Sequence, residues 1–195
     1  VTIRLTSFAK NKEEAEQSMQ DTIKEITSRV GEYLYGWDDD TLESVACSLL
    51  KKRKWTLAAA ESCTGGLFSH SICTISGASE VFKGSVVCYT NEIKEEIVGV
   101  PKSVLLKEGA VSSSTARFLA QGVKERFHSD VGLSITGVAG PATQEGKPVG
   151  LVYIGMHLPS GEVVKELRLA GDRNSIQVRT NKLALFYLIK ELQKG

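Results

Sequence analysis

The chain has 195 residues, of which 42% are hydrophobic and 24% are charged, and its formal net charge is +1. This is the composition of an ordinary globular protein with enough chain to bury one main core. The small net charge argues against a dedicated nucleic-acid-binding protein, which usually carries a strong basic excess. The densest basic run, Lys51–Lys54, stands where a helix is predicted to end, and we interpret it as charge that faces the negative helix terminus.

The four cysteines predict neither a zinc site nor a disulfide framework. They stand at positions 47, 63, 73 and 88, without a CxxC pair or a histidine cluster beside them. We expect no signal peptide, and the sequence has no apolar run near the roughly 18 residues of a membrane-spanning helix. We therefore expect a cytoplasmic protein with free thiols that binds no metal and no membrane.

The first 36 residues predict a small β-α-β fragment. The opening VTIRL, from Val1, alternates apolar and polar residues as a half-buried strand does. Apolar residues then recur at helical spacing from Ala15 to Val30, Gly31 fits the helix end, and Tyr33–Tyr35 could begin a second strand. Because the strand pattern already runs at the first residue, which is not Met, we expect a piece of a longer protein.

From residue 38 onward, strands and helices alternate and then give way to a β-hairpin. Predicted helices begin near Thr41, Gly65, Asn91, Ser112 and Asn174, and predicted strands are WTLAAA, Gly84–Tyr89, VGLSIT, Val149–His157 and Glu162–Leu169. This order predicts an α/β fold with three layers, α/β/α, around a mixed sheet. Ligand sites in such sheets gather at loops that leave the carboxyl ends of strands. Three loops meet that condition: Glu61–Gly66, Thr90–Lys94 and Thr136–Pro141.

The stretch LAAAESCTGG, residues 57–66, ends a predicted strand with a carboxylate and two adjacent candidate nucleophiles. A turn between a strand and a helix holds Ser62 rigidly, and the unpaired N–H groups of Thr64, Gly65 or Gly66 could face an oxyanion. Serine needs a base to act as a nucleophile. The G-x-S-x-G elbow of α/β-hydrolases is absent, and the three histidines stand away from these loops.

Lys94 is one candidate base for Ser62, because burial and a helix N-terminus both disfavour the charged amine. Tyr89, at the end of the preceding strand, could orient the amine or relay the proton. The pattern alone nevertheless favours a solvated helix lysine. Cys63 is a competing nucleophile, since a helix N-terminus lowers the pKa of a thiol, but without a readable partner we favour a packing residue. The TGG glycines could also cradle a phosphate, although the lysine of a P-loop is missing.

Five ordered motifs resemble the C-terminal domain of the CinA family of competence/damage-inducible proteins. They are AESCTGGL, VFKGSVVCYTNEIKEEIVGVP, GAVS, SITGVAGP and KPVGLVYIG. The resemblance assigns residues 38–195 to this domain, and residues 1–36 resemble the latter half of the KH-like connecting domain of full-length CinA. The family's N-terminal domain, which is linked to ADP-ribose pyrophosphatase activity, has no counterpart in this sequence.

Members with this domain act as nicotinamide-nucleotide amidases. The resemblance therefore implies hydrolysis of the carboxamide of nicotinamide mononucleotide to nicotinate mononucleotide and ammonia. Ser62 matches the nucleophile, Lys94 the general base and Tyr89 its partner in the site. The resemblance implies oxyanion or substrate-binding roles for Glu61, Thr64, Gly65, Gly66, Asn91, Thr136, Gly137, Ala139 and Gly140.

The partners implied by the resemblance are a pyridine nucleotide and a second copy of the chain, since family members are commonly dimeric or larger. Candidates for binding the substrate phosphate are Arg173, Arg179 or the amides of Thr136–Gly140, and no cofactor is expected. Nucleic-acid binding is disfavoured because Val1–Gly36 lacks the GXXG loop of KH modules. An alternative function is a non-catalytic module that binds nucleotides or contacts competence or DNA-repair proteins.

Overall fold

The computed structural model describes residues 2–194, and the chain divides after Gly36 into two compact units. Val1, which opens the first predicted strand, and Gly195 lie outside the described residues. Each helix of the described residues is too short or too polar to cross a bilayer.

The first unit holds one helix, α1 (Lys12–Val30). Asn11 caps it by accepting a hydrogen bond from the Glu14 N–H, and Gly31 follows its last residue, as predicted. Residues 2–36 contain no strand, so the two strands of the predicted β-α-β fragment are wrong. The alternation at the start of the chain is compatible with a strand, but strand backbone groups need a hydrogen-bonded neighbour, and neither segment has one within this unit.

The second unit is built around a five-stranded mixed sheet, which confirms the predicted α/β fold. Its strands are β1 (Leu57–Glu61), β2 (Phe82–Val87), β3 (Val131–Gly137), β4 (Leu151–Leu158) and β5 (Gly161–Arg168). Their order is β2-β1-β3-β4-β5. Strand β1 pairs in parallel with β2 and β3, and β4 pairs antiparallel with both β3 and β5. Strand β1, which lies between β2 and β3, is buried at every position, which explains why its sequence LAAAE does not alternate.

Helices of the second unit follow most of the predicted starts. They are α2 (Leu42–Arg53), α3 (Leu67–Cys73), α4 (Asn91–Ile93), α5 (Lys102–Glu108), α6 (Ser113–Phe127) and α7 (Arg173–Gln193). Thr41 caps α2 and Ser112 caps α6 through side-chain oxygens, as the sequence indicates. Helix α5 was not predicted, because seven residues are too few to display a helical repeat.

Two helical layers cover the sheet. Helix α6 packs on one face, where the Ser134 hydroxyl of β3 donates a hydrogen bond to the Ala116 carbonyl at 2.6 Å. Leu133 and Ile135 point to the opposite face and are also fully buried. Helices α2, α3 and α7 pack against one another as the second layer. The parallel strands β1, β2 and β3 end at the same edge of the sheet, so the loops that follow them are neighbours.

Candidate active site

Ser62 and Lys94 meet at the carboxyl ends of the parallel strands. Ser62 directly follows β1 and is 8% exposed, and Lys94 directly follows α4 and is 1% exposed. Lys94 Nζ lies 3.1 Å from Ser62 Oγ and 2.7 Å from the carbonyl oxygen of Cys88. The amine and the hydroxyl are therefore close enough for direct proton transfer.

Burial lowers the pKa of the Lys94 amine below its ordinary value, because desolvation disfavours the ammonium form. The neighbouring Cys88, Cys63 and Glu145 act on this pKa in the opposite direction and do not outweigh burial. The interpretation of Lys94 as a solvated helix residue is thus wrong. A lowered pKa makes more of the amine neutral at a given pH, and the neutral amine can accept a proton from a neighbouring hydroxyl.

An irregular helix positions Lys94. Thr90, rather than the expected Asn91, caps α4 by accepting a hydrogen bond from the Ile93 N–H. The chain then continues as a π-helix, Lys94–Val98, that ends at Gly99. Single π-turns are often found at functional sites, because the wider turn redirects side chains relative to an α-helix.

Glu61 organises the turn that carries Ser62. Its side chain is completely buried next to the start of α3. The carboxylate accepts hydrogen bonds from the backbone N–H groups of Gly66, Phe68 and Ser69 and from the hydroxyls of Thr64 and Ser69. Gly66, the residue before α3, has no side chain that could cap the helix. Glu61 therefore supplies the missing acceptor, with a negative charge at the positive helix end.

The backbone amides near Ser62 differ in their availability to an oxyanion. The N–H of Gly65 donates to the Ser62 carbonyl at 3.1 Å, and the N–H of Gly66 donates to Glu61. These two predicted oxyanion donors thus already have acceptors. Within residues 2–194, the N–H groups of Cys63 and Thr64 donate to no acceptor on another residue. The amides that remain open beside Ser62 are consequently those of Cys63 and Thr64.

Cys63 is poorly suited to act as a nucleophile. Its side chain is 5% exposed, and burial raises the pKa of the thiol to about 12. The thiol is therefore protonated at neutral pH, despite its place before a helix. This burial agrees with the interpretation of Cys63 as a packing residue.

Arg173, the first residue of α7, joins two of the loops at the sheet edge. Its guanidinium donates to the Tyr89 hydroxyl and to the Gly140 carbonyl, each at 2.6 Å. Tyr89 is 56% exposed, and within the described chain its hydroxyl bonds neither Ser62 nor Lys94. Its role as proton relay therefore stays a prediction without a direct contact. Arg179 lies further along α7 and donates to the Ala170 carbonyl instead of a site loop.

The end of β3 and the loop that follows it carry four of the predicted site residues, and their role as a wall of the substrate pocket stays a prediction. Residues Thr136, Gly137, Ala139 and Gly140 are all buried. The Thr136 hydroxyl donates to the Ala110 carbonyl at 2.7 Å, so it anchors the connection between α5 and α6. Gly140 has a φ of +87°, which favours glycine. Asn91 is exposed, and its side chain bonds none of the other predicted site residues among those described.

Gln177 was not predicted as part of the site. Its Nε2 donates to the Cys63 carbonyl at 2.7 Å and so reaches from α7 to the turn that carries Ser62. It stands four residues after Arg173, and this spacing places both side chains on one helix face. That spacing was the available signal in the sequence. Among the described residues, no group of three or more His, Cys, Asp or Glu side chains could hold a metal ion.

Family models and curated relatives agree on what this chain resembles. Residues 39–192 match the model of the CinA C-terminal domain, and residues 1–36 match that of the damage-inducible protein CinA KH domain. A putative competence-damage inducible protein of Geobacillus sp. (strain WCH70) is 47% identical over 193 residues, which cover 98% of this chain and 46% of the relative. A CinA-like protein of Dictyoglomus thermophilum is 47% identical over 192 residues, which cover 97% of this chain and 46% of the relative. The chain thus spans about half the length of these relatives.

Solved structures give the same result. A competence/damage inducible protein of Agrobacterium tumefaciens superposes with a TM-score of 0.74 at 33% identity, covering 80% of this chain and 97% of that one. A CinA superfamily protein of Klebsiella pneumoniae has a TM-score of 0.77 at 26% identity, covering 79% of this chain and 97% of that one. The chain therefore belongs to the CinA family, and the unit that brings Ser62 and Lys94 together is its C-terminal domain.

Proposed function

We propose that the second unit is a nicotinamide-nucleotide amidase, which hydrolyses the carboxamide of nicotinamide mononucleotide to nicotinate mononucleotide and ammonia. The observation that carries the proposal is the buried contact of 3.1 Å between Lys94 Nζ and Ser62 Oγ. Membership of the CinA family and the resemblance of the site motifs to members with this activity support the choice of substrate.

In the proposed reaction, the neutral Lys94 amine removes the proton of the Ser62 hydroxyl as Oγ attacks the carboxamide carbon. The tetrahedral intermediate then collapses with cleavage of the C–N bond. The Lys94 ammonium gives its proton to the leaving nitrogen, so ammonia departs and a Ser62 ester remains. Water, deprotonated by Lys94, attacks the ester carbon. The ester C–O bond then breaks, Lys94 returns the proton to Ser62 Oγ, and nicotinate mononucleotide leaves.

The negative oxygen of the intermediate needs donors that are already oriented. We assign this role to the N–H groups of Cys63 and Thr64, because the adjacent amides of Gly65 and Gly66 have protein acceptors. One oriented donor of this kind contributes about 3 kcal/mol to the transition state. Glu61 supports both donors indirectly by fixing the turn.

The substrate phosphate is assigned to Arg173 rather than to Arg179. Arg173 reaches the loops after β2 and β3, whereas Arg179 bonds Ala170 of the segment that precedes α7. No ion pair of the described residues includes Arg173, and its present acceptors are two neutral oxygens. A phosphate could replace those acceptors with charge-assisted hydrogen bonds.

Ammonia release from nicotinamide mononucleotide by the purified 195-residue chain tests the proposal. Ser62→Ala and Lys94→Ala should each abolish release while the variants keep the fold by circular dichroism. The exposed Ser113 and Lys102 provide matched controls, and Ser113→Ala and Lys102→Ala should retain activity. Near-normal turnover in either site variant would refute the assignment. Nucleotide binding without ammonia release in the unmodified chain would instead support the non-catalytic module.

A further inference from the structure

The carbonyl of Cys63 is held from a distant element. Within the turn that carries Ser62, the Ser62 and Thr64 carbonyls accept hydrogen bonds from the N–H groups of Gly65 and Leu67, respectively. The Cys63 carbonyl between them instead accepts from Gln177 Nε2 at 2.7 Å, across 114 positions of sequence. Its orientation is therefore set by α7 rather than by the turn.

This carbonyl belongs to the same planar peptide group as the N–H of Thr64. In a trans peptide the C=O and N–H bonds point in opposite directions, so a bond that fixes the Cys63 oxygen also fixes the Thr64 N–H. That N–H has no protein acceptor within residues 2–194. A hydrogen bond to the carbonyl also polarises the peptide group and strengthens its N–H as a donor.

We propose that Gln177 is a positioning residue, which holds the Cys63–Thr64 peptide group so that the Thr64 N–H faces the oxyanion formed when Ser62 attacks an acyl carbon. The inference rests on the proposed function for the Ser62 nucleophile, but it does not depend on which acyl compound is the substrate. Gln177 acts through the peptide group and touches no reacting atom.

Two substitutions separate the hydrogen bond from the bulk of the side chain. Gln177→Met keeps the length and removes the donor, whereas Gln177→Arg keeps a donor. Gln121→Met is the matched control, because Gln121 is also half-buried and its Nε2 donates to a glutamate on its own helix. All variants should first be shown to unfold at temperatures close to that of the wild type.

Two reactions are measured on each variant. One is ammonia release from nicotinamide mononucleotide. The other is release of p-nitrophenol from p-nitrophenyl acetate, in which Ser62 Oγ bonds the acetyl carbon, the ester C–O bond breaks and Lys94 takes the serine proton. We expect Gln177→Met to lower kcat about tenfold in both reactions with KM nearly unchanged, because a misaligned oxyanion donor affects mainly the transition state. The kcat values of Gln177→Arg and Gln121→Met should stay within about threefold of the wild-type values in both reactions.

The inference is overturned if Gln177→Met keeps the wild-type kcat, if Gln177→Met and Gln177→Arg lose equal activity, or if the wild type shows Ser62-dependent turnover of neither substrate. Failure of the proposed function looks different. In that case the wild type releases nitrophenol but no ammonia, and the comparison of Gln177 variants on the ester still decides the role of Gln177.

Discussion

Lys94 is bound to the carbonyl oxygen of Cys88, the residue that directly follows β2, at 2.7 Å. A carbonyl can only accept, so it occupies one N–H of the amine in either protonation state. The neutral amine then has its lone pair free for the Ser62 hydroxyl, 3.1 Å away. The end of β2 thus orients the amine that the proposed reaction uses as a base.

The activity of the wild type should rise with pH. Burial lowers the pKa of Lys94, and the neutral amine is the active form in the proposed reaction. The value of kcat/KM should therefore increase as the pH passes through this lowered pKa, and it should level off below the pKa of an ordinary lysine. Lys94→Arg should be inactive at every pH, because a guanidinium keeps its proton. Initial rates of ammonia release between about pH 6 and about pH 10 measure this. A flat profile over that range would count against Lys94 as the base.

The same pKa shift makes a prediction about stability. Between the lowered pKa of folded Lys94 and its ordinary value, the unfolded chain binds more protons than the folded chain, so stability should rise with pH. Lys94→Met removes this dependence. We therefore expect the urea midpoint of the wild type to increase relative to that of Lys94→Met as the pH rises toward about 10. Lys102→Met, at an exposed position, controls for the loss of a lysine charge; an equal pH trend in both variants would contradict the prediction.

Glu61→Gln should destabilise the second unit. The carboxylate accepts five hydrogen bonds in a fully buried place, and a glutamine amide would turn an NH2 group toward some of those donors. Leaving one or more buried donors unsatisfied costs about 2 to 3 kcal/mol. Chemical denaturation measures the loss, with the exposed Glu92→Gln as control. An unchanged unfolding free energy would show that the turn does not depend on the negative charge.

Cys63→Ala should retain activity within about threefold, because the thiol is buried and its pKa is raised to about 12. Ser62→Ala, one residue earlier, should be inactive. Ammonia release and iodoacetamide labelling at neutral pH distinguish the two nucleophiles. Loss of turnover in Cys63→Ala, together with rapid alkylation of Cys63 in the wild type, would reassign the nucleophile to the thiol.

Arg173→Met should weaken recognition of the phosphate. We expect kcat/KM for nicotinamide mononucleotide to fall about tenfold or more, since a charge-assisted hydrogen bond contributes about 1.5 to 3 kcal/mol. Turnover of nicotinamide riboside, which lacks the phosphate, should change much less. Arg179→Met, on the same helix, is the matched control. If both substrates lose equally in Arg173→Met, the residue supports the Tyr89 and Gly140 loops and does not bind phosphate.

Local signals in the sequence predicted much of this fold. Thr41 and Ser112 are caps whose side chains bond the backbone three residues ahead, and the sequence LAAAESCTGG marks a strand that ends in a tight turn. Such features depend on neighbouring residues alone. The prediction of strands around α1 was wrong because a strand depends on a distant partner. Alternation of apolar and polar residues indicates two faces, but it does not show whether a partner strand exists.

The contacts that complete the site are long-range and left little trace in the sequence. The burial of Lys94 depends on the π-helix and on the Cys88 carbonyl, a backbone group that any residue could supply. Gln177 reaches the Cys63 carbonyl only after α7 has docked. The resemblance to the CinA family pointed to Ser62 and Lys94 where the pattern favoured a solvated lysine, but it gave no indication of Gln177.

Helix α7 follows all five strands in the sequence, yet Arg173 and Gln177 tie its first two turns to the loops after β1, β2 and β3. During synthesis, Ser62 and Lys94 therefore emerge from the ribosome well before the helix that contacts the loops around them. A nascent chain that ends before α7 carries Ser62 and Lys94 without the hydrogen bonds that Arg173 and Gln177 make to the neighbouring loops. If the proposed reaction is correct, the site should therefore become active only after α7 has been synthesised and has docked.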